Sequence, residues 1–122
     1  MKEVVMHIHM VSNEFWMTPS LREYLESRVR IAFSALRSRA VDISVRLRDL
    51  NGPKGGRDMM CQVTVAIPGQ PEVVIKDVQE NMYTAIDKAV KRAAYRATRI
   101  VMRRRAEVKK VSRVEFDEYG DQ

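Results

Sequence analysis

Alternation of apolar and polar residues marks four short segments of the chain as strands. The alternation is clearest at residues 41–48, where every second residue is a large aliphatic one, which is typical of a strand with one buried face. Turn-forming residues at 51–56 and 68–71 separate the last three segments, so these three are predicted to form an antiparallel meander. The four predicted strands cover residues 4–11, 41–48, 59–67 and 73–78.

Apolar residues at three- and four-residue spacing predict two helices. The first follows Thr18-Pro19-Ser20, with Glu23 three residues after Ser20, a sequence that supplies a capping oxygen and a proline for the first turn. It is predicted to end near Leu36. The second runs from Glu80 to about Arg105 without a glycine or proline.

The order strand, helix, three strands, helix predicts an α+β fold. In this β-α-β-β-β-α arrangement, two helices pack on one face of a four-stranded sheet, and the architecture is like that of double-stranded-RNA-binding domains. The residues predicted to meet between sheet and helices are Val41, Ile43, Val45, Val63, Val65, Val73 and Ile75 from the strands, and Leu25, Ile86, Val90 and Ala97 from the helices.

A chain of 122 residues has room for one compact domain. We expect residues 1–106 to form that domain and residues 107–122 to form a flexible acidic tail. The start of the chain does not resemble a signal peptide, and no apolar run reaches the roughly 20 residues that a membrane helix needs. A cytoplasmic protein without membrane partners is therefore expected.

Positive charge is concentrated in the second predicted helix. The chain has a net charge of +6, and residues 88–105 contain eight basic residues and no acidic one. At 100° per residue, five of them share a sector of about 80°. Because solvated helix faces usually mix both signs, this one-signed face favours binding of a polyanion, with nucleic acid first. The five residues, called the cation ladder below, are Lys88, Arg92, Arg96, Arg99 and Arg103.

Two segments, TPSLREYLESRV and above all NMYTAIDKAVKRAAYRATR, resemble the ribosome hibernation-promoting factor and ribosome-associated inhibitor family. The resemblance covers roughly residues 4–105. It implies a ribosome-associated protein that binds the small ribosomal subunit and its rRNA in the channel of messenger and transfer RNA, and that inhibits translation. It implies no cofactor and no small-molecule substrate. Longer members add a domain that pairs two ribosomes, and none is expected here.

The resemblance also implies which residues contact RNA. Matching positions are Arg22 and Arg28 on the first helix and Arg92, Arg99, Arg103 and Arg105 on the second. We expect Lys88, Lys91 and Arg96 to contact RNA as well, although they add positive charge where the family is often neutral or acidic. Tyr95 stands where an arginine is common. We expect Tyr95 near the exposed side of the helix and Tyr83 in the core.

Other classes of function are less well supported by the residues. A generic double-stranded-RNA-binding module without ribosome specificity is the alternative, because its helix, three-strand, helix order is contained in this one. An enzyme is not expected. A metal site would need His7, His9 and Cys61 together, but strand alternation predicts that the histidines and the cysteine lie on opposite faces.

Overall fold

The elements follow one another as the sequence predicts. A computed structural model describes residues 7–13, 17–37, 39–50 and 58–120, with side chains up to residue 104. The predicted hairpin tip at 51–56 and the start of the first strand therefore lie outside the described residues. The strands are β1 (His7–Asn13), β2 (Asp42–Asp49), β3 (Met59–Ala66) and β4 (Val73–Gln79), and the helices are α1 (Pro19–Ala32), followed by a 3₁₀ turn at Ser34–Leu36, and α2 (Met82–Gly120).

The four strands form one sheet in the order β1-β2-β3-β4. β1 and β2 run parallel, because α1 carries the chain back across the sheet between them. The other two pairs are antiparallel, as a meander requires. The turn between β3 and β4 places Gly69 at a φ of +77°, a left-handed conformation that glycine adopts without strain.

One face of the sheet is buried beneath both helices. From Asp42 to Arg48, residues of β2 alternate between exposed and buried, and α1 contributes Leu21, Leu25 and Val29 to the same core. The predicted core is confirmed, since all eleven of its members are at most 5% exposed. On β1, Ile8 and Met10 pack against this core while the strand's other face stays open.

Side-chain oxygens mark the start of each helix. Thr18 Oγ1 accepts a hydrogen bond from the Leu21 backbone N–H at 3.1 Å, so Thr18 is the N-cap and Ser20 lies inside the first turn. Asn81 Oδ1 accepts from the Tyr83 backbone N–H at 2.7 Å before α2. These two contacts satisfy amide groups that a helix start would otherwise leave unpaired.

α2 is longer than predicted, because its backbone continues from Met82 to Gly120 rather than ending near Arg105. Its 39 residues span about 58 Å, whereas an eight-residue strand spans about 26 Å. The sheet can therefore cover only the first part of the helix, and Val101 is the last residue of the described core. The division at residue 106 and the flexibility of the last residues stay predictions.

Candidate nucleic-acid interface

The cation ladder lies on the exposed side of α2. Lys88, Arg92, Arg96, Arg99 and Arg103 are all exposed, and so is Lys91 beside them. On the side of the helix that faces the sheet, Ala89, Ala93 and Ala97 are fully buried. These small side chains let the helix pack closely on the sheet, so the ladder lies on a well-packed part of the fold. The side chain of Arg105 lies outside the described residues.

Arg92 differs from the rest of the ladder because it also binds the edge of the sheet. Its Nη1 lies 3.3 Å from Asp77 Oδ1 and 3.3 Å from the carbonyl oxygen of Lys76 on β4. The Asp77 side chain is only 14% exposed, and the Gln79 side-chain amide donates to its other oxygen at 2.8 Å. Arg92 therefore helps to hold α2 on β4 while its side chain remains 56% exposed.

Arg28 is joined to α2 through Asp87. The Nε atom of Arg28 lies 3.3 Å from Asp87 Oδ1, and the Tyr24 hydroxyl donates to the same carboxylate, with oxygen–oxygen distances of 2.7 and 2.8 Å. The Arg28 guanidinium also lies over the Tyr24 ring, 5.1 Å from its centroid. We call Tyr24, Arg28 and Asp87 the interhelix clamp. The hydrogen bond to Asp87, followed by burial, raises the pKa of Tyr24.

Tyr83 lies at the contact between the two helices rather than in the core. The sequence predicts Tyr83 in the core, but the residue is 40% exposed, and its ring meets that of Tyr24 edge-on, with centroids 4.8 Å apart. The position lies in the first turn of α2, where the helix meets α1 rather than the sheet. Arg22 is exposed on α1.

Tyr95 lies beside the ladder on the exposed side of α2, as the sequence predicts. Its ring is 64% exposed, and the Arg99 guanidinium carbon lies 5.6 Å from the ring centroid. The ring borders a groove of about 440 Å³ between α2 and the edge strand β4. This β4 groove is lined by Ile75, Lys91, Arg92, Tyr95 and Arg96.

Two arginines that are far apart in the chain meet at another cavity, which sequence reasoning did not find. Arg39 and Arg104 line a space of about 380 Å³ with an apolar floor that includes Ile67 and Val101. Arg104 belongs to the basic run of α2, but it lies outside the sector of the ladder. No local pattern pairs it with Arg39, because the two positions are brought together only by the packing of α2 on the sheet.

The histidines and the cysteine lie on opposite faces of the sheet, as the alternation predicts. His7 and His9 are exposed on the open face, whereas Cys61 is fully buried on the helix face. Burial raises the pKa of the Cys61 thiol to about 12, which keeps it protonated and poorly reactive. Within the part of the chain that the structure describes, no three potential metal ligands come together.

Neither helix, as far as residues 17–37 and 58–120 show, combines the length and the apolar character that crossing a membrane requires. α2 is long enough but carries the cation ladder.

Comparison with known proteins places the chain among ribosome-associated proteins. The sequence model of the family described as Sigma 54 modulation protein / S30EA ribosomal protein matches residues 8–105, about four fifths of the chain. A search of curated protein sequences finds no match.

Solved structures share the fold at low sequence identity. The Protein Y N-terminal domain of Thermus thermophilus has a TM-score of 0.62 and 19% identity, with 81% of this chain and 99% of that chain covered. A ribosomal subunit interface protein from Coxiella burnetii has a TM-score of 0.62 and 15% identity, with 79% of this chain and 98% of that chain covered. The two structures share the β-α-β-β-β-α architecture with this chain.

Proposed function

Since the chain belongs to the Sigma 54 modulation protein / S30EA ribosomal protein family, we propose that it binds the small ribosomal subunit in the channel of messenger and transfer RNA and thereby inhibits translation. The protein would be cytoplasmic and ribosome-associated, and it would act by binding rather than by catalysis. The observation that carries this proposal is the cation ladder, a face of α2 on which five basic side chains are exposed.

The dimensions of the ladder suit a run of phosphates. From Lys88 to Arg103 it extends about 22 Å along α2, and guanidinium groups can bind phosphate oxygens through two parallel hydrogen bonds. Arg28 and Arg22 on α1 would form a second line of contacts. The interhelix clamp fixes Arg28 relative to α2, because its guanidinium is held by a carboxylate of that helix.

The packing of α2 favours RNA over an anionic membrane surface. A helix that binds a membrane surface inserts an apolar side among the lipids. In α2 the side opposite the ladder is occupied by the sheet, where Ala93 and Ala97 are fully buried. The described part of the helix therefore offers charge for phosphates without an apolar side for lipid.

Sedimentation of a cell lysate through a sucrose gradient, with the protein detected by antibody, tests the association with ribosomes. The protein should sediment with small subunits or whole ribosomes. If it is found only in the fractions of free protein, the proposal is contradicted. An order-of-addition experiment then tests the channel. Small subunits programmed with messenger and initiator transfer RNA should bind the protein less well than empty subunits, and added protein should suppress cell-free translation.

The same measurements separate the proposal from the double-stranded-RNA alternative. A generic module binds A-form helices through their shape, so an unrelated RNA duplex should compete as well as ribosomal subunits do. Under the proposal, such a duplex competes poorly. Equal binding to empty and programmed subunits would instead favour a site on the outer surface of the ribosome.

A further inference from the structure

We propose that Tyr95 and the β4 groove bind an unpaired nucleobase of the rRNA, with the base stacked on the tyrosine ring. This inference rests on the proposed function, since it assigns one contact within the same RNA interface. It adds a contact of a different kind, because the ladder recognises phosphates and the tyrosine would recognise the flat face of a base.

The exposure of Tyr95 is the first observation. A tyrosine that is 64% exposed contributes little to the core, to which its neighbours Ala93, Ala94 and Ala97 belong. Helical geometry places Tyr95 one turn after Lys91 and Arg92 and one turn before Arg99. The aromatic ring is therefore interleaved with the cations, the combination by which proteins bind single-stranded nucleic acid.

The surroundings of the ring are the second observation. Arg99 lies over the ring, 5.6 Å from its centroid, within the distance of a cation–π contact. On the side toward the sheet, the β4 groove has an apolar floor at Ile75, which is 5% exposed, and cationic walls from Lys91, Arg92 and Arg96. A base entering this groove would meet apolar surface while its phosphates meet the walls.

The chemistry selects an unpaired nucleotide rather than a duplex. Bases inside an A-form helix are already stacked on both faces, and sequence-reading proteins contact RNA mainly at loops, bulges and ends, where a base can stack on an aromatic side chain. The groove volume of about 440 Å³ lies in the range of sites for small ligands. A single base and its sugar can enter such a space, whereas a base-paired helix cannot.

Substitution of Tyr95 with purified small ribosomal subunits tests the contact. Tyr95→Leu should weaken binding about tenfold, as expected for the loss of one stacked base, whereas Tyr95→Phe should bind like the original protein because it keeps the ring. Since no phosphate contact is lost, Tyr95→Leu should leave the slope of log affinity against log salt unchanged. Val74→Ala, at an exposed apolar residue on the open face of the sheet, is the matched control.

Photocrosslinking identifies the partner of the ring directly. With Tyr95→p-azidophenylalanine, irradiation of the complex should join the protein to an unpaired rRNA nucleotide. A crosslink to a base-paired nucleotide, or to ribosomal protein alone, would overturn the proposal.

The outcomes separate this inference from the proposed function. If the original protein does not bind subunits, the proposed function fails. If the protein binds but Tyr95→Leu binds equally well, the stacking contact is refuted and the function stands. If Tyr95→Leu makes the salt slope shallower, as Arg99→Gln is expected to do, then Tyr95 acts only by positioning Arg99 for a phosphate, and stacking is again refuted.

Discussion

Reversing two charges of the cation ladder should weaken binding to small ribosomal subunits at least about 30-fold without unfolding the protein. Arg96 and Arg103 are the residues of choice. Both are exposed, whereas Arg92 holds Asp77 and Arg99 lies over Tyr95, so that changes at those two positions would disturb other contacts. The variant is Arg96→Glu with Arg103→Glu.

The magnitude follows from counterion release. Each phosphate contact contributes about 0.7 to 0.9 to the slope of log affinity against log salt, which at about 0.15 M salt corresponds to roughly 1 kcal/mol. Two lost contacts therefore cost about 2 kcal/mol, or about 30-fold in affinity, and repulsion between glutamate and phosphate adds to the loss. Stability should change by less than about 0.5 kcal/mol, because both residues are exposed.

The assay is the affinity for purified small subunits at several potassium chloride concentrations. The slope should become shallower by about 1.4 to 1.8 for the double variant. The control is Arg46→Glu with Lys76→Glu, which changes the net charge by the same amount. Both control residues are exposed on the open face of the sheet, where each is paired in register with Gln62.

Two results would refute the reasoning. If the sheet variant loses as much affinity as the ladder variant, only net charge matters and the face of α2 has no special role. If the ladder variant keeps both affinity and slope, the ladder is a solvated face that does not contact phosphate.

Further predictions concern stability and titration. Ile43→Ala and Ile86→Ala should each lower the free energy of unfolding by about 2 to 5 kcal/mol, and unchanged urea midpoints for both would contradict the assigned sheet faces. The hydrogen bond to Asp87 raises the pKa of Tyr24. The contribution of this hydrogen bond to the free energy of unfolding is therefore fully present below the ordinary tyrosine pKa of 10.0, and it is lost as the pH rises through the higher pKa of Tyr24 in the folded protein. Asp87→Asn should therefore lower the pKa of Tyr24, as measured by tyrosinate absorbance with Tyr24→Phe as reference, and no change would argue against the clamp. Cys61 should resist iodoacetamide at pH 8 in the native protein and react in urea, and rapid modification without denaturant would contradict its burial.

The sheet and its faces were predictable because local alternation determines them. Each of Ile43, Val45 and Leu47 follows a polar residue, so one side of β2 is apolar and is buried. The register with β3 then decides which side chains of the neighbouring strand share that buried face. The exposed side of α2 followed in the same way from helical periodicity. In both cases the information lies within a few consecutive residues.

Contacts between the helices were not predictable in this way. Tyr24 and Asp87 are 63 positions apart, and their meeting depends on the angle at which α1 crosses α2. The same crossing leaves Tyr83 partly exposed against Tyr24 instead of buried. The end of α2 was also misplaced, because periodicity fades after Val101 although the next glycine or proline in the chain is Gly120.

The position of β1 at the edge of the sheet has a consequence for how the fold opens. Among the strands that the structure describes, β1 is bonded to a neighbour on one side only, through a parallel pairing that needs α1 as a crossover, while β3 is bonded on both sides. Amide protons of β1 should therefore exchange with solvent first and those of β3 last. Since α2 packs over β3 as well as over the other edge strand, β4, the helix that bears the ladder rests in part on the slowest-exchanging strand, and fraying of β1 leaves the geometry of the ladder intact.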